Sequence, residues 1–277
     1  RARLRSGVVW DTHAGHDGAG APVGMSQEGP TIVVTPIARE GFIGGAAIVA
    51  GHARGIGSAV HFSSVLGEDE TADLVREALA GLDVKFHAYR DESRPTTLKQ
   101  RYNAGRKTLL RVSHLRQHEI NADIRTRMSA DIREVLGEID LLIFADYNYG
   151  CLHQAVVDGT VAEAGRRGVV MVADSQSSSQ VGDVSRFKGM LLLTPTEREA
   201  RLATQDFNSG LVILASALRE RAMARNVIVT LGEEGLLIHA ETSKENQWLT
   251  DRLPALNNAP KDVSGAGDSL LTTSSMS

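Results

Sequence analysis

Leu141-Leu142-Ile143-Phe144-Ala145-Asp146-Tyr147 decides the fold. An unbroken apolar run closed by a carboxylate does not suit a strand with one wet face. It fits a parallel strand buried on both faces, whose C-terminal end opens on polar surroundings. The same grammar recurs on either side. Val8-Val9-Trp10-Asp11, Val60 to Leu66, Val84 to Tyr89, Val169 to Ala173 before Asp174, Met190 to Leu193 before Thr194-Pro195-Thr196-Glu197, and Asn226 to Leu231 read as strands. Between them the apolar period turns helical over Thr71 to Leu82 (Leu74, Ala78 and Leu79 inward), Ile120 to Leu136, Leu152 to Arg167 and Leu211 to Arg225. Strand alternating with helix predicts a three-layer α/β fold on a mostly parallel sheet. Such sheets bind ligands beyond the carboxyl ends of their strands, so Asp11, Asp146, Asp174, Glu199 and a C-terminal glycine loop are expected to converge on one edge.

With 277 residues the chain can bury a large core, and 42% hydrophobic against 23% charged residues excludes a disordered or fibrous protein. A net charge of -4 without a long Lys/Arg block excludes a nucleic-acid footprint. Cys151 is the only cysteine, so no internal disulfide or cysteine zinc site forms, and a reducing cytoplasmic setting is expected. No apolar stretch is long enough for a signal core or a membrane span, so no membrane partner is expected. The close histidine pairs, His13/His16 and His114/His118, lack a third metal ligand and read as surface or structural groups.

Some segments fall outside the strand-helix cadence. Thr12 to Gly29 is rich in Gly, Ala and Pro without period and reads as a loop, and Thr31 to Pro36 reads as an extended strand. Gly44-Gly45 opens a small-residue helix and lets a ligand come close. Thr96 to Tyr102 and Lys107 to Ser113 form a hairpin around Asn103-Ala104-Gly105-Arg106. It carries Lys99, Arg101, Arg106, Lys107 and Arg111, with Lys99 and Arg101 on one face of their strand and Lys107 and Arg111 sharing a face of theirs. Such charges suit a solvated face. They also suit a lid built from about residues 30–43 and 84–113 that brings cations to the crevice.

Near the C-terminus stands Asp262-Val263-Ser264-Gly265-Ala266-Gly267-Asp268, followed by Leu270 and Leu271. Gly265, Ala266 and Gly267 allow a tight turn whose N–H groups face one anion, helped by the positive end of a helix starting there. Asp268 would stand beside that anion, able to take the proton of an attacking hydroxyl. An ordinary helix N-cap has the same composition.

Taken together, several segments resemble the PfkB-type, ribokinase-like sugar kinases. Gly44-Gly45-Ala46-Ala47 resembles the family's diglycine sugar signature, Thr230-Leu231-Gly232 with Gly235 its nucleotide-side strand and turn, and Asp262 to Asp268 its C-terminal signature. Gln27-Glu28-Gly29-Pro30, Ala145-Asp146-Tyr147, Leu193-Thr194-Pro195 and Arg111 are most similar to heptose 7-phosphate kinases of lipopolysaccharide precursor synthesis. The resemblance implies ATP as donor and Mg2+ as its companion, with Asp268 as base beside Gly265 to Gly267. It places Thr196, Thr230, Gly232 and Gly235 at the nucleotide. Asp11, Gly44, Gly45, Lys99, Arg101, Arg111 and Asp146 would meet a sugar or sugar-phosphate acceptor, and Glu199 would support magnesium through water. It also implies a single domain over 1–277, further C-terminal helices in the family that this chain stops short of, and a homodimer paired through the lid. The chain departs from the family at Ile48, where the signature has Asn, at Thr196, where an Asn-x-x-Glu motif has Asn, and at Tyr149 and Gln176, where lysines are expected. Two alternatives stay open: a non-catalytic sugar- or nucleotide-binding protein on this scaffold, and a nucleoside or simple-sugar kinase.

Overall fold

The computed structural model describes residues 4–10, 12–26, 28–29, 31–104, 107–177, 181–242, 244, 247–257, 263 and 265–277. In chain order, β1 (Arg5–Trp10), β2 (Thr12–Met25), β3 (Ile32–Gly45) and α1 (Ala46–Gly55) are followed by β4 (Ala59–Leu66), α2 (Glu70–Gly81) and β5 (Lys85–Arg90). Then come β6 (Leu98–Ala104), β7 (Lys107–His114), α3 (Ala122–Val135), β8 (Leu141–Asp146), α4 (Gln154–Arg167) and β9 (Val170–Ser175). β10 (Leu192–Leu193), α5 (Glu197–Thr204), α6 (Leu211–Ala222), β11 (Asn226–Thr230), β12 (Leu236–Glu241), β13 (Trp248–Leu253) and α7 (Ala266–Met276) complete the described chain.

The described residues form a nine-stranded sheet in the order β13-β12-β11-β10-β9-β8-β1-β4-β5. Its pairs are parallel except β11 with β12 and β12 with β13. Every residue of β8 is buried, so helices cover both faces there and the three-layer α/β arrangement follows. α1 packs on α7, α3 on α4 and α5 on α6. Local chemistry sets where helices begin: Asp69 accepts from the Ala72 amide ahead of α2, and Asn121 accepts from Ile124 ahead of α3. Gly168, with φ 70°, ends α4 in the left-handed turn that favours glycine.

A second sheet has four strands in the order β3-β2-β6-β7. The expected loop over Thr12 to Gly29 is strand β2 for most of its length, antiparallel to β3 and parallel to β6. Its small residues hid it. A Cβ at Gly15 would collide with the Phe42 ring of β3, so the composition that reads as a loop is what lets the strands approach. Val84 to Tyr89 lies in the large sheet, as the strand-helix cadence has it, so the lid's second segment begins at Leu98 and not at residue 84. In α2 the inward residues are Ala72, Val75 and Leu79, with Leu74 exposed. β13, an antiparallel edge strand, is an addition the sequence reading did not contain.

Residues paired in register across neighbouring strands share a face. Gly15 pairs with Lys99, Asp17 with Arg101, Arg101 with Arg111 and His13 with Gly44. One face of the small sheet therefore carries His13, Asp17, Lys99, Arg101 and Arg111. A register shift after Tyr102 separates Lys107 from this alignment, unlike the expected Lys107/Arg111 pair.

Gly235 closes the turn between β11 and β12 with φ 95°, and a Cβ there would collide with the Leu253 carbonyl. Gly235→Ala should therefore cost about 1 to 3 kcal/mol through strain and lost strand pairing. Urea unfolding checks this, and an unchanged midpoint would contradict the assignment of Gly235 to structure.

Candidate active site

The carboxyl ends of β8 and β9 meet the head of α7. Gly265 caps α7 in the left-handed region at φ 77°, which a side chain would strain, and Asp268 lies in the first helical turn. α1, which begins after Gly45 (φ 62°), packs beside α7 and puts Ile48 against the turn, its Cδ1 3.3 Å from where a Cβ on Gly265 would stand.

Asp268 is buried, and the Tyr147 hydroxyl donates to its Oδ1 at 2.6 Å. Gln176 Nε2 stands 3.4 Å from the same oxygen and 3.4 Å from the Tyr147 hydroxyl. Oδ2 lies on the glycine side, 3.9 Å from the Cβ position of Gly265. Burial raises the Asp268 pKa above the usual carboxylate range, while the Tyr147 hydrogen bond and the charges of His52 and Lys99 restrain the rise. The small sheet reaches this point. Lys99 Nζ lies 5.6 Å from the Tyr147 ring centroid and 5.3 Å from that of Tyr149, and the two rings stack at 6.2 Å.

Other acids line the same edge with different partners. Asp174 is buried, its Oδ1 without a hydrogen-bond partner among the described residues, and burial followed by the charges of Glu199 and Asp268 pushes its pKa well up. Glu199 accepts from the Ser177 amide at 2.7 Å and the Thr196 amide at 2.8 Å, completing a capping box at the start of α5. Magnesium holds most of its waters and takes few protein oxygens. The pair Glu199 and Asp174, with one buried oxygen unsatisfied, fits a hydrated cation held through water. Among the described residues no three His, Cys, Asp or Glu side chains form an inner cage.

Asp146, expected at the acceptor, is held by protein partners. Its Oδ2 receives Arg186 at 2.7 Å and the Ser175 hydroxyl at 3.2 Å, and its Oδ1 receives the Asn148 amide at 2.9 Å. Oδ2 thus ties the ends of β8 and β9 to the turn at Arg186, and Oδ1 closes the local turn at Asn148. Across the sheet edge, a cleft of about 440 Å3 is lined by Thr196, Arg198, Arg201, Phe207, Thr230 and Gly232. Thr196, Thr230 and Gly232, three of the residues placed at the nucleotide by resemblance, share this lining, and Gly235 stands outside it. Gly44 lies under the His13 ring, where a Cβ would collide with it. Arg101 stands 3.9 Å from Asp17 and over Phe42, and Arg111 is exposed on the outer strand beside it. Asp11 lies outside the described residues. The partners of Asp268, Tyr147 and Gln176, had no assigned role from the sequence. An aromatic directly after a buried strand's terminal acid was the available signal.

The chain is similar to known proteins. The family model described as pfkB family carbohydrate kinase matches residues 27–271. D-beta-D-heptose 7-phosphate kinase of Bordetella bronchiseptica is 30% identical over 274 residues, covering 98% of this chain and 83% of that protein. Bifunctional protein HldE of Pelobacter propionicus is 29% identical over 254 residues, covering 90% of this chain and 50% of the relative, so the chain spans about half the length of such bifunctional relatives. Among solved structures, phosphofructokinase-2 from Escherichia coli superposes with a TM-score of 0.72 at 16% identity, over 99% of this chain and 86% of that one. Arabidopsis thaliana ribokinase complexed with ribose and ATP gives 0.68 at 16% identity, over 98% and 84%. These two likenesses show the fold.

His13 gives the site an electrostatic check. Its ring packs edge-on against Tyr147 at 5.8 Å, and burial, aided by Lys99 and Arg101, lowers its pKa to about 3. The unfolded chain binds this proton below about 6.5 and the folded one does not, so stability falls as pH drops through that window. The gap between wild type and His13→Phe should shift by about 2 kcal/mol against the wild type from pH 7 to pH 5. Urea titrations at the two pH values measure it, and a pH-independent gap would contradict a neutral His13.

Proposed function

The chain belongs to the pfkB family of carbohydrate kinases, and from that premise we propose that it transfers the γ-phosphoryl group of ATP to a hydroxyl of a sugar phosphate of the heptose 7-phosphate kind. The observation that carries the reading is the buried Asp268, one oxygen held by Tyr147 and the other on the side of the Gly265 turn. Oδ2 would take the acceptor's proton as the acceptor oxygen attacks phosphorus, while the Gly265 and Gly267 amides, joined by the Ala266 amide once it leaves the Val263 carbonyl to which it donates at 3.2 Å, would hold charge on the transferred group. The cleft at Thr196, Thr230 and Gly232 would hold the nucleotide. Glu199, with Asp174 adding charge, would hold a hydrated magnesium ion that neutralises donor phosphates when bound.

The small sheet would act as the lid of a single kinase domain, with Gly44 and Gly45 at its root beside the sugar. Its cationic face supports a phosphorylated acceptor: Lys99 already reaches Tyr147, and Arg101 and Arg111 lie in line behind it. A free sugar needs no such row of charge. The similarity to D-beta-D-heptose 7-phosphate kinase of Bordetella bronchiseptica supports the same acceptor class. A homodimer through the lid forms part of the proposal, because β3 is an edge strand and Met25, Ile32 and Ile37 of the small sheet are exposed at 61%, 53% and 70%. A cytoplasmic location follows from the ATP donor. The non-catalytic reading draws on Ile48, whose apolar chain occupies the wall of the glycine turn.

ADP release measured over a panel of sugars and sugar phosphates separates these readings. Turnover with heptose 7-phosphate should exceed that with the free heptose at least tenfold, and equal use would overturn the acceptor class. No ADP release with any acceptor would favour the binding-only reading. A charge-assisted contact is worth about 1.5 to 3 kcal/mol, so Arg101→Ala should raise the acceptor KM about tenfold or more and leave the ATP KM unchanged.

A further inference from the structure

We propose that Tyr147 is a positioning residue for the phosphoryl transfer, its hydroxyl fixing Oδ1 of Asp268 so that Oδ2 alone is presented to the acceptor hydroxyl at the Gly265 turn. The inference rests on the kinase reading above and adds a residue that reading does not need.

A carboxylate can accept a proton on either oxygen, and its plane turns about its last bond unless a partner holds it. Here one oxygen is engaged, which sets the plane and leaves the other oxygen to the acceptor. Tyr147 donates to Oδ1 at 2.6 Å and Gln176 Nε2 approaches the same oxygen at 3.4 Å, whereas Oδ2 lies toward the glycine turn. Tyr147 is itself held. It follows the fully buried β8, His13 packs edge-on against its ring, Tyr149 stacks on it, and Lys99 sits over both phenols. Its hydroxyl stays protonated, because burial and then the Asp268 charge push its pKa well above the usual tyrosine value. Tyr147 therefore donates and does not compete as a base.

In the transfer, the acceptor's proton moves to Oδ2 and its oxygen electron pair forms the new O–P bond. The bridging oxygen of the donor leaves with the electrons of the broken P–O bond, and the phenol keeps its proton throughout. Besides Tyr147, the titratable groups acting on Asp268 are His52 from α1 and Lys99 from β6, and Asp174 at the end of β9 feels the Asp268 charge in turn.

The test is Tyr147→Phe in the full chain, which deletes one oxygen and keeps the ring. kcat should fall at least about tenfold, toward the hundredfold that a misplaced group costs, with both KM values within about twofold of wild type. The acid limb of the kcat profile should move to higher pH, because the variant loses a hydrogen bond that favours the ionised carboxylate. ATP-binding stoichiometry counts folded protein, so a loss of folded fraction cannot imitate either change. If the phenylalanine variant does not fold, replacing the tyrosines with 3-fluorotyrosine makes the phenol a stronger donor, and the limb should move to lower pH. Wild-type kcat with an unmoved limb in Tyr147→Phe, or an unmoved limb in the fluorinated protein, overturns the positioning role and leaves Asp268 as base. Absence of ADP release by the wild type would instead overturn the kinase reading.

Discussion

The site depends on the cost of keeping carboxylates out of water along one edge of a parallel sheet. Asp146, Asp174, Glu199 and Asp268 are all buried there, and burial alone would neutralise or expel them. The fold compensates each differently. Asp146 has a guanidinium, a hydroxyl and an amide, and Glu199 has two backbone amides. Asp268 has one phenol at close range, while Asp174 retains an oxygen with no hydrogen-bond partner among the described residues. The fully satisfied acids hold strand ends and a helix start in place. The under-compensated acids are those that a proton or a hydrated cation would complete, which is how a buried edge turns structural expense into chemistry.

The small sheet links that edge to the acceptor. Its register aligns Lys99, Arg101 and Arg111 on the face that also carries His13, and His13 and Lys99 both reach Tyr147. Neutral His13 lets the sheet sit over the domain without adding a further buried charge beside Lys99. Any movement of the sheet would therefore be felt at Tyr147 and, through it, at Asp268.

Much of this was legible in the sequence, and what was missed has physical reasons. β8, the strand and helix alternation, the hairpin and the glycine turn carry strong local signals, and all lie close to where they were expected. β2 was unreadable because its glycines and alanines answer to Phe42 and other cross-strand neighbours, which sequence period does not report. Asp146 looked like a ligand contact because strand-end acids often are, and its partner Arg186 is distant in sequence. Gly235 belonged to a motif, yet its geometry answers to Leu253 on a strand that was not foreseen. Tyr147 was visible as a residue but not as a partner of Asp268, since nothing local ties the end of β8 to the head of α7.

The central claim is that Asp268 serves as the base of phosphoryl transfer while the nucleotide is held by other elements. Asp268→Asn preserves the shape of the side chain and removes its basicity, so turnover and ATP affinity should separate. Side-by-side ADP-release kinetics and ATP calorimetry on this variant give the most direct test. The account predicts turnover lower by about 10²- to 10⁴-fold with ATP affinity close to wild type, and near-normal turnover would contradict it.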